Sequence, residues 1–297
     1  MNNAILFFYD INIQEIKKIN NDYYFKYLNN NYVIYSYIRD ISEIDHIYNL
    51  NLELLQKGLI GYEIIPTKTN DIVFSYEDRY YLLMKMPNIK NRIITYEDVI
   101  SFNFLINDNK YNKLDKSNWG LNWSSKIDFI IYQFSSMKNK YRIIDNSLDY
   151  FICIWENGIS YYNDNVIKKH NKYVCHKRIR YDMDLLNFLN PLEFIIDYKE
   201  RDVGDYFKSY VMNNNYTLDT LKKYLNGIDK DSIILIISRV LFPSYYFDLY
   251  EDIVLDNEEE NQLNEIIEKM GNIISLLKYI FDLYSNYNIP YIEWIKK

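Results

Sequence analysis

The chain has 297 residues, 48% of them apolar and 25% charged, a composition that excludes an extended disordered chain and allows roughly three quarters of the unfolded surface to be buried. Its net charge of −7 argues against a general nucleic-acid binder, because backbone binding needs clustered Lys and Arg. Two cysteines, Cys153 and Cys175, and three scattered histidines exclude a disulfide framework and leave a cysteine-based zinc site short of ligands, so a reducing cytoplasm is the expected compartment.

The N-terminal AILFFY is too short for a signal h-region and follows no basic residue, so no export signal is expected. AILFFYDI reads as a first strand; DYYFKYL and YVIYSYI read as a hairpin turning across Asn29, Asn30 and Asn31. Ile41, Ile44, Tyr48, Leu52 and Leu55 recur at helical spacing, and Gly58 falls where a C-terminal cap belongs. YEIIP, DIVFSYE and YYLLMKM then form a meander with a turn at Asp78–Arg79, ending at Met86-Pro87-Asn88.

Beyond that point the pattern is helical. Ile127, Ile130, Ile131 and Phe134 mark one helix, with Ser125 and Asp128 placed as a capping box. Leu148, Phe151, Ile152, Trp155 and Ile159 mark a second; Thr217 caps a short third that ends before Gly227. IILIISRVLF at 233–242 fits a strand or a helix, and its aliphatic run is too short to span a bilayer, so no membrane partner is expected. Ile266, Ile267, Met270, Ile274, Leu277 and Phe281 define a long last helix that stops before Pro290. The chain thus divides into a sheet-rich part over 1–88 with one helix and a larger helical part over 89–297.

Two compositional features bear on function. The 33 tyrosines are what codon drift in an AT-rich genome produces, so aromatic richness alone does not mark a binding surface. Only 7 glycines are present, about a third of the usual frequency. No G-x-G-x-x-G or G-x-x-x-x-G-K loop exists to cradle a phosphate, and Gly58 and Gly61 close a helix rather than open one.

A sheet-rich first part, a larger helical part and a His-to-Asp segment among the helices is the element order of a protein-kinase-like two-lobe α+β fold. NPLEFIIDYKERDVGDYFKSYV, LFPSYYFDLYEDIV and YNIPYIEWI make the chain similar to the bacterial spore-coat kinase-like family of the CotS and YutH type, relatives of the aminoglycoside phosphotransferases. That resemblance implies association with the endospore coat, other coat proteins as partners, and assembly in the mother-cell cytoplasm.

It also implies where a phosphotransferase site would lie. Phosphoryl transfer is positioning plus charge neutralisation by a phosphate-holding Lys, a catalytic Asp, and an Asn and an Asp on the metal. The Lys position falls at Tyr35, on a strand without lysine; Lys26 on the neighbouring strand, with Glu53 in the helix, is the substitute cofactor-binding pair. With His176 at the histidine of an H-x-D loop, Arg178 occupies the base position, where a guanidinium cannot accept a proton. Met183 stands at the Asn position, with Asp182, Asp184 and Asn187 nearby as replacements for a shifted loop. Asp197, closing the strand-like FII, is the candidate metal ligand; the competing reading makes it a turn-bonding residue and Arg201, Asp202 and Asp205 an ion-pair cluster opening a helix.

The sequence therefore predicts a degenerate phosphotransferase, not an enzyme and without a required cofactor, acting as a structural or interaction component of the spore coat. The alternatives are a small-molecule phosphotransferase with relocated residues, or a pseudokinase that still binds MgATP.

Overall fold

Strands with two α-helices among them dominate the first ninety residues, and helices dominate the rest. The computed structural model describes residues 1–106, 110–137, 140–166, 170–213, 216–255 and 257–296. In chain order its elements begin with α1 (Asn2–Tyr9), β1 (Lys17–Ile19), β2 (Asp22–Tyr27), β3 (Asn30–Tyr37), α2 (Ile44–Gln56), β4 (Glu63–Ile65), β5 (Phe74–Tyr76) and β6 (Arg79–Lys85). There follow α3 (Tyr96–Ser101), β7 (Leu105–Ile106), α4 (Trp119–Ser135), α5 (Arg142–Asn165), β8 (Lys172–His176), α6 (Leu185–Phe188) and β9 (Phe194–Asp197). The chain ends with α7 (Glu200–Val211), α8 (Leu218–Leu225), α9 (Lys230–Leu241), α10 (Ser244–Val254), α11 (Leu263–Leu283) and α12 (Glu293–Lys296). Two compact units result, one of Met1–Ile94, Phe104–Asp115 and Asp182–Ile196, the other of Thr95–Asn103, Lys116–Tyr181 and Asp197–Lys297.

The first unit is built on an antiparallel sheet ordered β1-β2-β3-β6, with β4 and β5 sharing the far edge of β6. One face buries Phe25, Ile34, Phe74, Tyr81 and Leu83 against Ala4 and Ile5 of α1. AILFFYDI is therefore a helix, not the strand expected. Its inward residues, Ala4 and Ile5 with half-buried Phe8 and Tyr9, follow helical spacing, while Leu6 and Phe7 stay exposed. In α2 the inward stripe is Ile44, Ile47, Leu50, Asn51 and Leu54, rotated by about one residue from the expected one.

Two of the expected turns shift by about one residue for the same reason. The Tyr27–Asn30 pairing leaves Leu28 and Asn29 as a two-residue loop with φ of 45° and 63°, and Glu77 with Asp78 repeats it at 49° and 58°. Left-handed backbone at both loop positions matches the twist of the flanking strands.

In the second unit α9 is buried on all sides, from Ser232 to Leu241, so IILIISRVL is a core helix. It packs on α5 and α7. A Cβ on Gly204 would lie 2.8 Å from Arg239 Cγ, so α7 approaches α9 through a position that admits only glycine. Helix α4 begins at Trp119 behind the Asn118 cap, which puts Ser125 and Asp128 mid-helix. The capping box lies instead at Thr95 and Asp98, opening α3.

Candidate functional site

Strand β8 carries the chain inward and ends at His176, which is fully buried. Asp202, in the first turn of α7, accepts both the His176 backbone N–H at 3.0 Å and a ring contact from Nδ1 at 2.7 Å. The histidine is thus fixed by a side-chain carboxylate rather than by backbone alone.

Arg178 follows. Its Nε and NH2 donate to the two carboxylate oxygens of Asp248 on α10, both at 2.6 Å, and NH1 donates to Lys177 O at 3.0 Å. The bidentate fork satisfies the planar geometry of both partners. Burial acts against the Arg178 charge, yet Asp248 more than compensates and raises its pKa further. Asp248, in turn, is held below the usual carboxylate range by Arg178 despite its own burial. Arg178 is thus a permanent cation paired to a carboxylate through two hydrogen bonds.

Asp197 closes β9 and has no exposed surface. Its carboxylate accepts from three N–H groups: the Trp119 indole Nε1, shared between the two oxygens at 2.9 and 3.1 Å, Tyr198 N at 2.7 Å and Arg201 NH1 at 2.8 Å. Burial raises its pKa above the ordinary value, opposed chiefly by the Arg201 charge. Both carboxylate oxygens are thus engaged by protein N–H donors, one of them a cation. The residues here do not fit a divalent cation, and among the described residues no group of three His, Cys, Asp or Glu is arranged to hold one.

The polar network continues along α7. Asp205 accepts from Arg239 Nε at 2.9 Å and NH2 at 2.8 Å, and pairs with Lys208 Nζ at 3.0 Å. Lys208 also donates to Phe242 O and Ser244 Oγ, so its three protons meet three acceptors. Burial pulls the ammonium down to about 7 against the pull of Asp205. Asp205 itself is driven well below the usual range: the charges of Arg239 and Lys208 overcome its burial. Of the expected cluster, Arg201 joins Asp197, Asp202 joins His176 and Asp205 joins Arg239.

The remaining candidates lie in the first unit. Lys26 is exposed on β2 opposite Asn31. Glu53 is engaged by Lys57 at 2.7 Å, Tyr111 at 2.6 Å and Lys110 at 3.4 Å, and Lys26 is not among its partners. The Lys57 and Tyr111 bonds hold Glu53 at about 2. Tyr35 is half-buried with its ring edge-on to that of Tyr62, centroids 6.2 Å apart, and burial raises its hydroxyl above the usual range. The polar residue that does turn inward from α2 is Asn51, 1% exposed, whose Nδ2 donates to Tyr62 O at 3.0 Å. An amide inside an otherwise aliphatic stripe was the available signal for it. Asp182 is exposed, and Met183 O accepts from Ile94 N. Asp184 caps α6 by accepting from Asn187 N at 2.9 Å and Nδ2 at 2.7 Å.

A family model described as "Spore coat putative kinase YutH" matches residues 2–279. The chain belongs to this family. The endospore coat-associated protein YutH of Bacillus subtilis strain 168 is 21% identical, over 97% of this chain and 96% of its own. Among solved structures, an aminoglycoside phosphotransferase from Alicyclobacillus acidocaldarius superposes with a TM-score of 0.62 at 11% identity, covering 94% of this chain and 96% of that one. Choline kinase LicA from Streptococcus pneumoniae gives 0.54 at 9% identity, covering 92% and 97%. These likenesses establish the kinase-like α+β fold of this YutH-family chain.

Proposed function

We propose that this chain is a catalytically inactive kinase-like protein that serves the bacterial spore coat as a structural or interaction component, working among other coat proteins after assembly from the mother-cell cytoplasm. Family membership and the coat association of the Bacillus subtilis relative support the setting. The observation that carries the inactivity is Arg178 at the base position, paired on both carboxylate oxygens with Asp248. A guanidinium stays charged at neutral pH and does not accept a substrate proton.

The test is the thermal midpoint of the full-length protein with and without millimolar MgATP, alongside a phosphate-release and acceptor-phosphorylation assay. The expected result is no shift and no turnover. A ligand present at 100 times its dissociation constant stabilises by about 2.7 kcal/mol, enough to see. A saturable shift without turnover would replace this reading with a nucleotide-binding pseudokinase, and turnover would overturn the inactivity. For the setting, a fluorescent fusion in sporulating cells should collect at the forespore rim; diffuse mother-cell fluorescence throughout would count against a coat role.

A further inference from the structure

Asp197 and Arg201 stand four residues apart because only Tyr198 and Lys199 separate β9 from α7. That short connection turns the Arg201 guanidinium back over the strand end, and all of its nitrogens are used. NH1 donates to Asp197 Oδ2 at 2.8 Å, Nε to His176 O at 3.0 Å and NH2 to Lys177 O at 2.8 Å. One planar cation therefore joins the carboxylate at the end of β9 to two successive carbonyls at the end of β8. In active kinases a metal ion makes the corresponding link between an Asp and a loop Asn.

We infer that Arg201 is a resident cation that takes over the positioning role of a divalent metal, so that Asp197 and the segment from His176 to Arg178 keep their geometry with neither metal nor nucleotide. This rests on the proposed reading only in placing Asp197 at the metal position. The chemistry suits arginine specifically. Its rigid fork reaches acceptors in three directions within one plane, whereas a lysine ammonium on a flexible stem acts as a point charge. Asp197 is 0% and Arg201 8% exposed, so an entering cation would have to displace the guanidinium from a buried, fully bonded position. Lys177 O also accepts from Arg178 NH1, which ties the same short segment to a second arginine.

The experiment is Arg201→Ala in the full-length chain, with thermal midpoints read in matched millimolar chlorides of guanidinium, sodium and manganese(II). The variant is expected to melt on the order of 10 °C below wild type, since an uncompensated buried carboxylate is left behind. Guanidinium should recover a measurable part of that loss and sodium none, while wild type responds to neither. Recovery by manganese as well would also support the inference, because it would put an ion in the vacated place. A near-native midpoint would overturn it, as would a loss that guanidinium and sodium treat alike. Should Arg201→Ala fail to fold, Arg201→Lys keeps the charge without the fork. Faster hydrogen exchange at the Lys177 to Ile179 amides than in wild type is then the expected result, and unchanged exchange would overturn the inference. MgATP turnover by wild type would end the reading of inactivity and leave the guanidinium result standing.

Discussion

The two units solve burial in opposite ways. In the first, the buried polar side chains among the described residues are Asn51, Thr67 and Asn190, all neutral, and the sheet closes over aromatic and aliphatic groups. In the second, Asp197, Glu200, Arg201, Asp202, Asp205, Lys208 and Arg239 are all buried, five of them on α7. Each of these charges has a partner at hydrogen-bond distance, as Glu200 has in Ser232. An apolar core is stabilised by area removed from water and tolerates rearrangement, whereas a buried ionic core is costly unless every member is satisfied. The difference teaches that the second unit's geometry is specified by pairing, around the very segment where a kinase-like fold would carry its chemistry.

The comparison breaks or holds first at Asp205. Asp205→Ala leaves Arg239 and Lys208, 0% and 2% exposed, without their shared carboxylate, and is expected to cost about 3–5 kcal/mol. Leu83→Ala, the counterpart in the first unit's fully buried core, is expected to cost about 2–5 kcal/mol. Chemical denaturation of both variants decides it. The pH dependence separates them further. Because the folded state depresses the Asp205 pKa, its stabilisation is fully present above the unfolded value of about 3.9 and is lost as pH falls toward the folded one. The gap between wild type and Asp205→Ala should therefore shrink below pH of about 4, while the gap to Leu83→Ala stays constant. An Asp205 gap insensitive to acid would mean that pairing does not hold the second unit together.

Gly204 gives a smaller and purely steric version. Its missing Cβ would meet Arg239 Cβ at 2.9 Å and Cγ at 2.8 Å, so Gly204→Ala must push α9 or the Arg239 stem aside. The expected loss is about 1–3 kcal/mol. A neutral or stabilising result, as helix propensity alone would give, would show that α7 and α9 are not in the close contact that the Asp205 pairs require.

Most of the element order was legible in the sequence. The β2–β3 hairpin, the β6 strand, the Gly58 cap and the long last helix follow from periodicity and turn chemistry. Residues 4–11 misled because a short apolar run fits strand and helix alike, and only the partners of Ala4 and Ile5 choose. In the candidate site, the resemblance directed attention to Arg178 and to Tyr35 on a strand without lysine. The partners were not. Arg201 and Asp202 are chain neighbours and therefore point to different sides of α7, so which carboxylate takes the guanidinium depends on where β8 and β9 end. Asp248 lies 70 residues from Arg178, and nothing in local sequence joins them.

The smallest expected effect lies in the first unit, at the residues that the kinase-like resemblance put forward as a cofactor pair. Glu53 bonds Lys57, Lys110 and Tyr111 at a partly exposed position, and Lys26 stands exposed on β2. Exposed ion pairs contribute about 0–1 kcal/mol, since solvent screens them and side-chain entropy opposes them. Glu53→Gln, Lys26→Met and the double variant should thus each unfold within about 1 kcal/mol of wild type. A double-mutant cycle between them should show no coupling, because Glu53's hydrogen-bond partners do not include Lys26. A coupling well above 0.5 kcal/mol would mean that the two side chains meet in solution. The ion pairs that the first unit already carries at Glu53 would then contribute more than surface screening allows, and the contrast with the second would narrow to one of degree.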